Sequence, residues 1–257
     1  MQNRIDKLFE EKGSNVLSVF FTAGFPKLND TISVLEALEH SDADMIEIGI
    51  PFSDPLADGP VIQNSSMTAI ENGMNLNLLF QQLKNLRSAT QKPVLLMGYL
   101  NSVIQFGVEK FYNACHEVGI DGIILPDLPL AEFEKSHKEF TTKLNIKVVF
   151  LISYDTKSER VKQLDEASGG FLYLLSSSST TGGSKGVSKK LSLLPEIKKP
   201  VLIGFGIKGQ KEFSEACEIA NGAIIGTAFI ELLSGSTNFK KDISEFTSKI
   251  KTKQIAS

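Results

Sequence analysis

The chain has 257 residues, with 27 Lys plus Arg against 30 Asp plus Glu, 42% hydrophobic residues, 20 Gly, 2 Cys and no Trp. This composition excludes a disordered, collagen-like or disulfide-scaffold chain. A formal charge of -3 leaves no electrostatic footprint for nucleic acid, and no Lys/Arg cluster borders an apolar face as a membrane-surface helix requires, although one phosphorylated small molecule stays compatible.

The first residues, MQNRIDKLFEEKGS, mix charges where a secretory signal needs an apolar core of roughly 7 to 15 residues. No stretch approaches the roughly 20 apolar residues of a membrane span. The expected compartment is the cytoplasm. Ile5, Leu8 and Phe9 predict a leading helix, and eight apolar runs follow as strands: VLSVFFT (16–22), DMIEIGI (44–50), PVLLMGY (93–99), DGIILPD (121–127), KVVFLIS (147–153), GFLYLL (170–175), PVLIGF (200–205) and GAIIGT (222–227). Between them, apolar residues recur at helical spacing, as in Ile32, Leu35, Leu38 and in Phe213, Ala216, Cys217, Ala220. Ile243, Phe246 and Ile250 predict a last helix. Cys115 and Cys217 fall in predicted helices with no CxxC, which suits reduced thiols.

Strands rich in Val, Ile and Leu without strict alternation suit a parallel sheet covered on both faces. Eight βα units in this length predict a (β/α)8 TIM barrel with an extra N-terminal helix, as one domain over residues 1–257. The rival is a dinucleotide-binding sheet, because GFGIKG (204–209) matches GxGxxG. That fingerprint belongs after the first strand with an acidic residue roughly 20 positions on, whereas here it follows the seventh strand.

Strand starts are mostly 22 to 30 residues apart, except for the 49 positions between the second and third. The surplus falls in IPFSDPLADGPVIQNSS, expected as a long loop on the C-terminal rim where barrels carry their chemistry. Parity in the second strand separates Ile46 and Ile48 from Met45, Glu47 and Gly49, so Glu47 is expected to point into the barrel. Burial there raises a carboxyl's pKa toward neutrality, which suits proton exchange; a structural Glu held by an unseen partner is the competing reading. Asp54 and Asp58 place two more carboxylates on the same rim. Paired acid/base groups, a divalent metal and loop capping all compete there, with capping suiting Asp54 better than Asp58. Metal is disfavoured because His40, His116 and His137 all fall in helical segments.

Tyr173 shares a strand face with Phe171 and Leu175 and could bring its hydroxyl toward the acids. The run SSSSTTGGSKG (176–186) that follows is linker-like by composition, and in this position reads as a lid. After the seventh and eighth strands, the loops at Gly206 and at Gly226-Thr227 open backbone N–H groups and helix ends to an anion, where barrels hold a substrate phosphate. The only strand lysine, Lys147, lies at the noncatalytic end, which excludes a Schiff-base aldolase. Carbon-carbon cleavage here would need acid/base groups alone and a substrate with its own electron sink.

The run EIGIPFSDPLADGP (47–60), followed by Ile62-Gln63-Asn64, resembles the tryptophan synthase alpha chain family, and the resemblance extends from the first strand to the last helix. The resemblance implies a barrel that cleaves indole-3-glycerol phosphate to indole and glyceraldehyde 3-phosphate. It implies no metal and no cofactor in this chain, and an α2β2 complex with a beta chain that carries pyridoxal phosphate. By position, Glu47 would be the acid/base, Asp58 would hold the indole N–H, and Tyr173 would be the active-site tyrosine. Gly182, Gly206, Gly226 and Thr227 would bind phosphate, and Phe20, Tyr99 and Ile152 would line the indole pocket. Thr181 would meet Asp58 on lid closure, although Ser179 and Thr180 depart from the family's frequent Gly-Val. The alternatives are another phosphate-binding barrel isomerase and a mainly regulatory subunit that activates a beta chain.

Overall fold

The computed structural model describes residues 2–55, 58–175, 197–204 and 206–252. Eight parallel strands pair in sequence order, and the last closes on the first. They are β1 (Val16–Thr22), β2 (Met45–Gly49), β3 (Val94–Met97), β4 (Gly122–Ile124), β5 (Lys147–Ser153), β6 (Leu172–Leu175), β7 (Val201–Gly204) and β8 (Gly222–Ile225). β1 and β5 fill the runs expected from sequence, and the other six lie inside theirs, trimmed by one to three residues at one or both ends. Among the described residues, no helix is long and apolar enough to cross a membrane.

The surplus after β2 is not all loop. Gly59 caps a helix with Pro60 in its first turn, so α3 (Pro60–Glu71) takes up the second half of the stretch expected as loop. A further helix, α4 (Leu76–Gln82), starts where the Asn75 side chain accepts from the Leu78 N–H. Among the described residues, the rim loop proper is 50–55 and 58–59.

Side chains on the strands divide by parity into two apolar sets. Leu17, Val19, Phe21, Ile46, Ile48, Leu96, Ile152, Leu172 and Leu174 face the helices, whereas Val16, Phe20, Met45, Leu95, Met97, Val149, Phe171, Tyr173 and Ile224 fill the barrel. The first helix, α1 (Arg4–Lys12), seals the floor. Ile5 is fully buried with the interior set, and Asn3 fixes the helix start by accepting from the Ile5 N–H and donating to the carbonyls of Asp121 and Asn145. The plug needs room just before β6: a Cβ at Gly170 would sit 2.6 Å from Ile5 Cγ2, and Gly170 has φ +80, which a side chain would strain. Lys147 pairs with Asp6 of α1 at 2.7 Å, which places its ammonium at the sealed end. The catalytic residues must therefore come from the opposite, C-terminal end.

Candidate active site

The inward face of β2 ends in Met45, Glu47 and Gly49, in accord with the parity reading. Glu47 has no exposed surface, and the Ser18 hydroxyl of β1 donates to its Oε1 at 2.6 Å. Burial pushes the carboxyl up from 4.5 to about 7, against the smaller downward pull of that hydrogen bond. Gly49 leaves space on the rim side of Glu47, and the Phe20 ring uses it: a Cβ at Gly49 would lie 2.6 Å from Phe20 Cζ. Glu47 thus sits among apolar groups with one hydroxyl donor.

Asp58 occupies the rim loop, where its backbone N–H donates to the Pro55 carbonyl at 3.0 Å and its own carbonyl accepts from Gln63 of α3 at 2.9 Å. Its carboxylate accepts from the Tyr99 hydroxyl at 3.0 Å. Burial again raises the pKa, and Tyr99 opposes the rise. Tyr99 is set by two contacts: its ring stacks on Phe52 with centroids 5.0 Å apart, and Asp127 caps the helix that follows through the Leu100 N–H at 2.8 Å. Asp54 points elsewhere, as an exposed side chain beside Ser53, so the rim holds two converging carboxylates rather than three. Among the described residues, no three His, Cys, Asp or Glu side chains form a metal-binding group.

Tyr173 is buried, and its hydroxyl lies in the space that a Gly204 side chain would fill, 2.1 Å from the ideal Cβ. Burial first, then the negative charges of Glu47 and Asp58, raise its pKa well above the ordinary 10.0, so it stays a neutral phenol. Strand β6 thereby brings its hydroxyl into electrostatic reach of both acids.

Two adjoining cavities share Phe20, Asp58, Ile62 and Met97. One runs from Asp58 past Tyr173 and Ile224 to Gly206, Gly226 and Thr227. The other reaches Phe52, Pro55 and Tyr99. Apolar walls with a few polar groups, a perturbed carboxylate among them, are the hallmark of a small-molecule site. At the far end, Gly226 precedes the nine-residue helix that starts at Thr227, and Gly206 has φ +76. The structure thus brings together Glu47, Asp58, Tyr173, Phe20, Tyr99, Gly206, Gly226 and Thr227; Thr181 and Gly182, with Ser179 and Thr180, lie outside the described residues.

Ile152 is the correction. It belongs to the set between barrel and helices, because the inward residues of β5 are Val149 and Leu151. The register agrees: Leu151 pairs with inward Tyr173, and Ile152 with outward Leu174. Ser18, Phe52, Ile62, Met97 and Ile224 also belong to the site and were not singled out from the sequence. Inward parity marks Ser18, Met97 and Ile224 in retrospect, whereas Phe52 and Ile62 lie in the stretch after β2, where no period tells which side chains face the cavity.

Comparison with known proteins gives a consistent set of relatives. The family model described as "Tryptophan synthase alpha chain" matches residues 7–256. The chain is 48% identical to the tryptophan synthase alpha chain of Flavobacterium psychrophilum, over 96% of this chain and 99% of that one. It is 45% identical to that of Flavobacterium johnsoniae, over 97% and 100%. Among solved structures, the alpha subunit from Legionella pneumophila superposes with a TM-score of 0.88 at 31% identity, covering 97% of both chains.

Proposed function

The chain belongs to the tryptophan synthase alpha chain family, and from that premise we propose how its residues divide the family's reaction. That reaction is lyase chemistry, the cleavage of indole-3-glycerol phosphate to indole and glyceraldehyde 3-phosphate in tryptophan biosynthesis.

In the proposed division, Glu47 gives its proton to indole C3. The ring becomes an indoleninium whose positive N–H is held by the Asp58 carboxylate, and its C=N bond is the electron sink that the reaction lacks elsewhere. Glu47, now a carboxylate, takes the proton of the glycerol hydroxyl next to C3. The bond from C3 to the glycerol carbon breaks, its electron pair restores the C2=C3 double bond of indole, and the released carbon becomes the aldehyde of glyceraldehyde 3-phosphate. The proton returns to Glu47, so the cycle closes without another reactant. The indole ring occupies the pocket of Phe20, Phe52 and Tyr99, and the phosphate lies at the N–H groups of Gly206, Gly226 and Thr227. Tyr173 donates a hydrogen bond as a neutral phenol between the two acids.

The observation that supports this reading is a dry carboxyl near pH 7, Glu47, and a second, hydroxyl-bonded carboxylate, Asp58, both within electrostatic reach of Tyr173, which lines one cavity with Asp58. A group that both gives and takes a proton works best with a pKa near the ambient pH. We further propose that residues 1–257 form one barrel domain in the cytoplasm. A beta chain is implied by the family, and the α2β2 assembly with pyridoxal phosphate confined to that chain extends the reading. The test is indole release from indole-3-glycerol phosphate, with and without a beta chain. Glu47→Gln is expected to lower kcat by about 100-fold or more in both conditions, and turnover that survives this change would refute the role.

A further inference from the structure

We infer that Ser18 is a positioning residue for the lyase reaction, holding Oε1 of Glu47 so that Oε2 is the oxygen that exchanges protons with the substrate. The inference rests on the acid/base role of Glu47 proposed above. Its starting point is an asymmetry in one buried carboxyl. Oε1 accepts from Ser18 Oγ at 2.6 Å, while Oε2 is buried with no hydrogen-bond partner among the described residues. Such an oxygen is costly to leave alone unless a ligand completes it.

The contact is built into the sheet. In the β1–β2 register Phe20 stands opposite Glu47, and Ser18 stands opposite Met45, so the Ser18 hydroxyl reaches Glu47 on the diagonal. Ser18 is itself fully buried, and the inward side chains nearest in register, Phe20, Met45, Leu95 and Ile224, are apolar. The titratable group that acts with Glu47 across the barrel is Tyr173 of β6, which also feels the charge of Asp58 in the rim loop.

The consequence is chemical. In a neutral carboxyl the carbonyl oxygen is the better acceptor, so a donor fixed on Oε1 favours the proton on Oε2. Once that proton has gone to C3, the same hydroxyl stabilises the carboxylate that must take the next one. Ser18 therefore serves both half-steps while its own O–H bond stays intact.

The experiment compares Ser18→Ala, Ser18→Thr and Glu47→Gln with the native protein, reading kcat and KM against pH and following the infrared carbonyl band of protonated Glu47 in the free enzyme. Ser18→Ala is expected to lower kcat about tenfold and to leave KM within about twofold. It is also expected to move both the Glu47 limb of the profile and the infrared titration up by about one pH unit; Ser18→Thr, which restores the hydroxyl, returns them. If Ser18→Ala does not fold, Ser18→Cys, with its weak donor, carries the same comparison. Native kcat and an unmoved titration in the Ala or Cys protein, with Glu47→Gln inactive, would overturn the role of Ser18 alone. Activity in Glu47→Gln would overturn the acid/base reading as well.

Discussion

Replacing Glu47 by Gln is expected to change how the stability of the free chain depends on pH. The folded chain holds the Glu47 proton up to about pH 7, because burial outweighs the pull of Ser18, whereas the unfolded chain releases it near 4.5. Stability from the neutral carboxyl is therefore fully present below 4.5 and is lost as pH rises through about 7. The gap between 4.5 and about 7, at roughly 1.4 kcal/mol per unit, corresponds to about 3 kcal/mol. Gln does not titrate, so it contributes a constant offset, and every other ionisable group titrates in both proteins. The melting temperature of Glu47→Gln minus that of the native protein should then rise by roughly 6 to 12 °C between mild acid and mild base. Calorimetric melts of both proteins without ligand read this directly. A difference that stays flat over that range would show that Glu47 ionises as an ordinary surface acid, and the argument for its chemistry would fail.

Two further changes separate the ends of the barrel. Tyr99→Phe removes the hydroxyl that opposes the burial of Asp58, so the Asp58 pKa rises further and the acid limb of kcat/KM moves to higher pH, with about a tenfold loss near neutrality; an unmoved limb in the pH profile would contradict the assignment. Ile5→Ala opens a cavity at the sealed floor and should cost about 2 to 5 kcal/mol in unfolding measurements, while kcat of the folded protein stays native, since the plug lies opposite the rim. A lower kcat in folded Ile5→Ala protein would tie the floor to the chemistry.

Strand order and the direction of Glu47 were legible because β2 carries a polar residue on one parity, so its two faces read differently. In β5 the run KVVFLIS is apolar on both parities, since one set packs on helices and the other fills the barrel. Nothing in that run tells Leu151 from Ile152; only pairing with β6 does. The same limit hid Ser18. Its hydroxyl matters through a diagonal contact across strands 29 positions apart in sequence, and a lone Ser in an apolar strand carries no local sign of it. Composition also failed to place the end of the rim loop, because Gly59-Pro60 reads equally as a turn and as a helix start.

Asp54 and Asp58 make the same point about chemistry. They lie four residues apart in one loop, each beside a helix-breaking residue, yet only Asp58 faces the cavity, where the Pro55 turn and Gln63 fix its backbone. Environment then separates Asp58 from Glu47. Glu47 is dry and has a single donor at its floor, so it keeps a proton that it can spend; Asp58 sits at the mouth and takes a phenolic hydrogen bond that favours its charge. A reaction that must protonate one carbon and steady a positive nitrogen nearby needs that inequality. Two carboxylates in equal surroundings would have no fixed division of roles, whereas unequal surroundings assign one as proton donor and the other as the standing charge. The barrel supplies the difference by drawing one acid from a strand interior and the other from the rim loop.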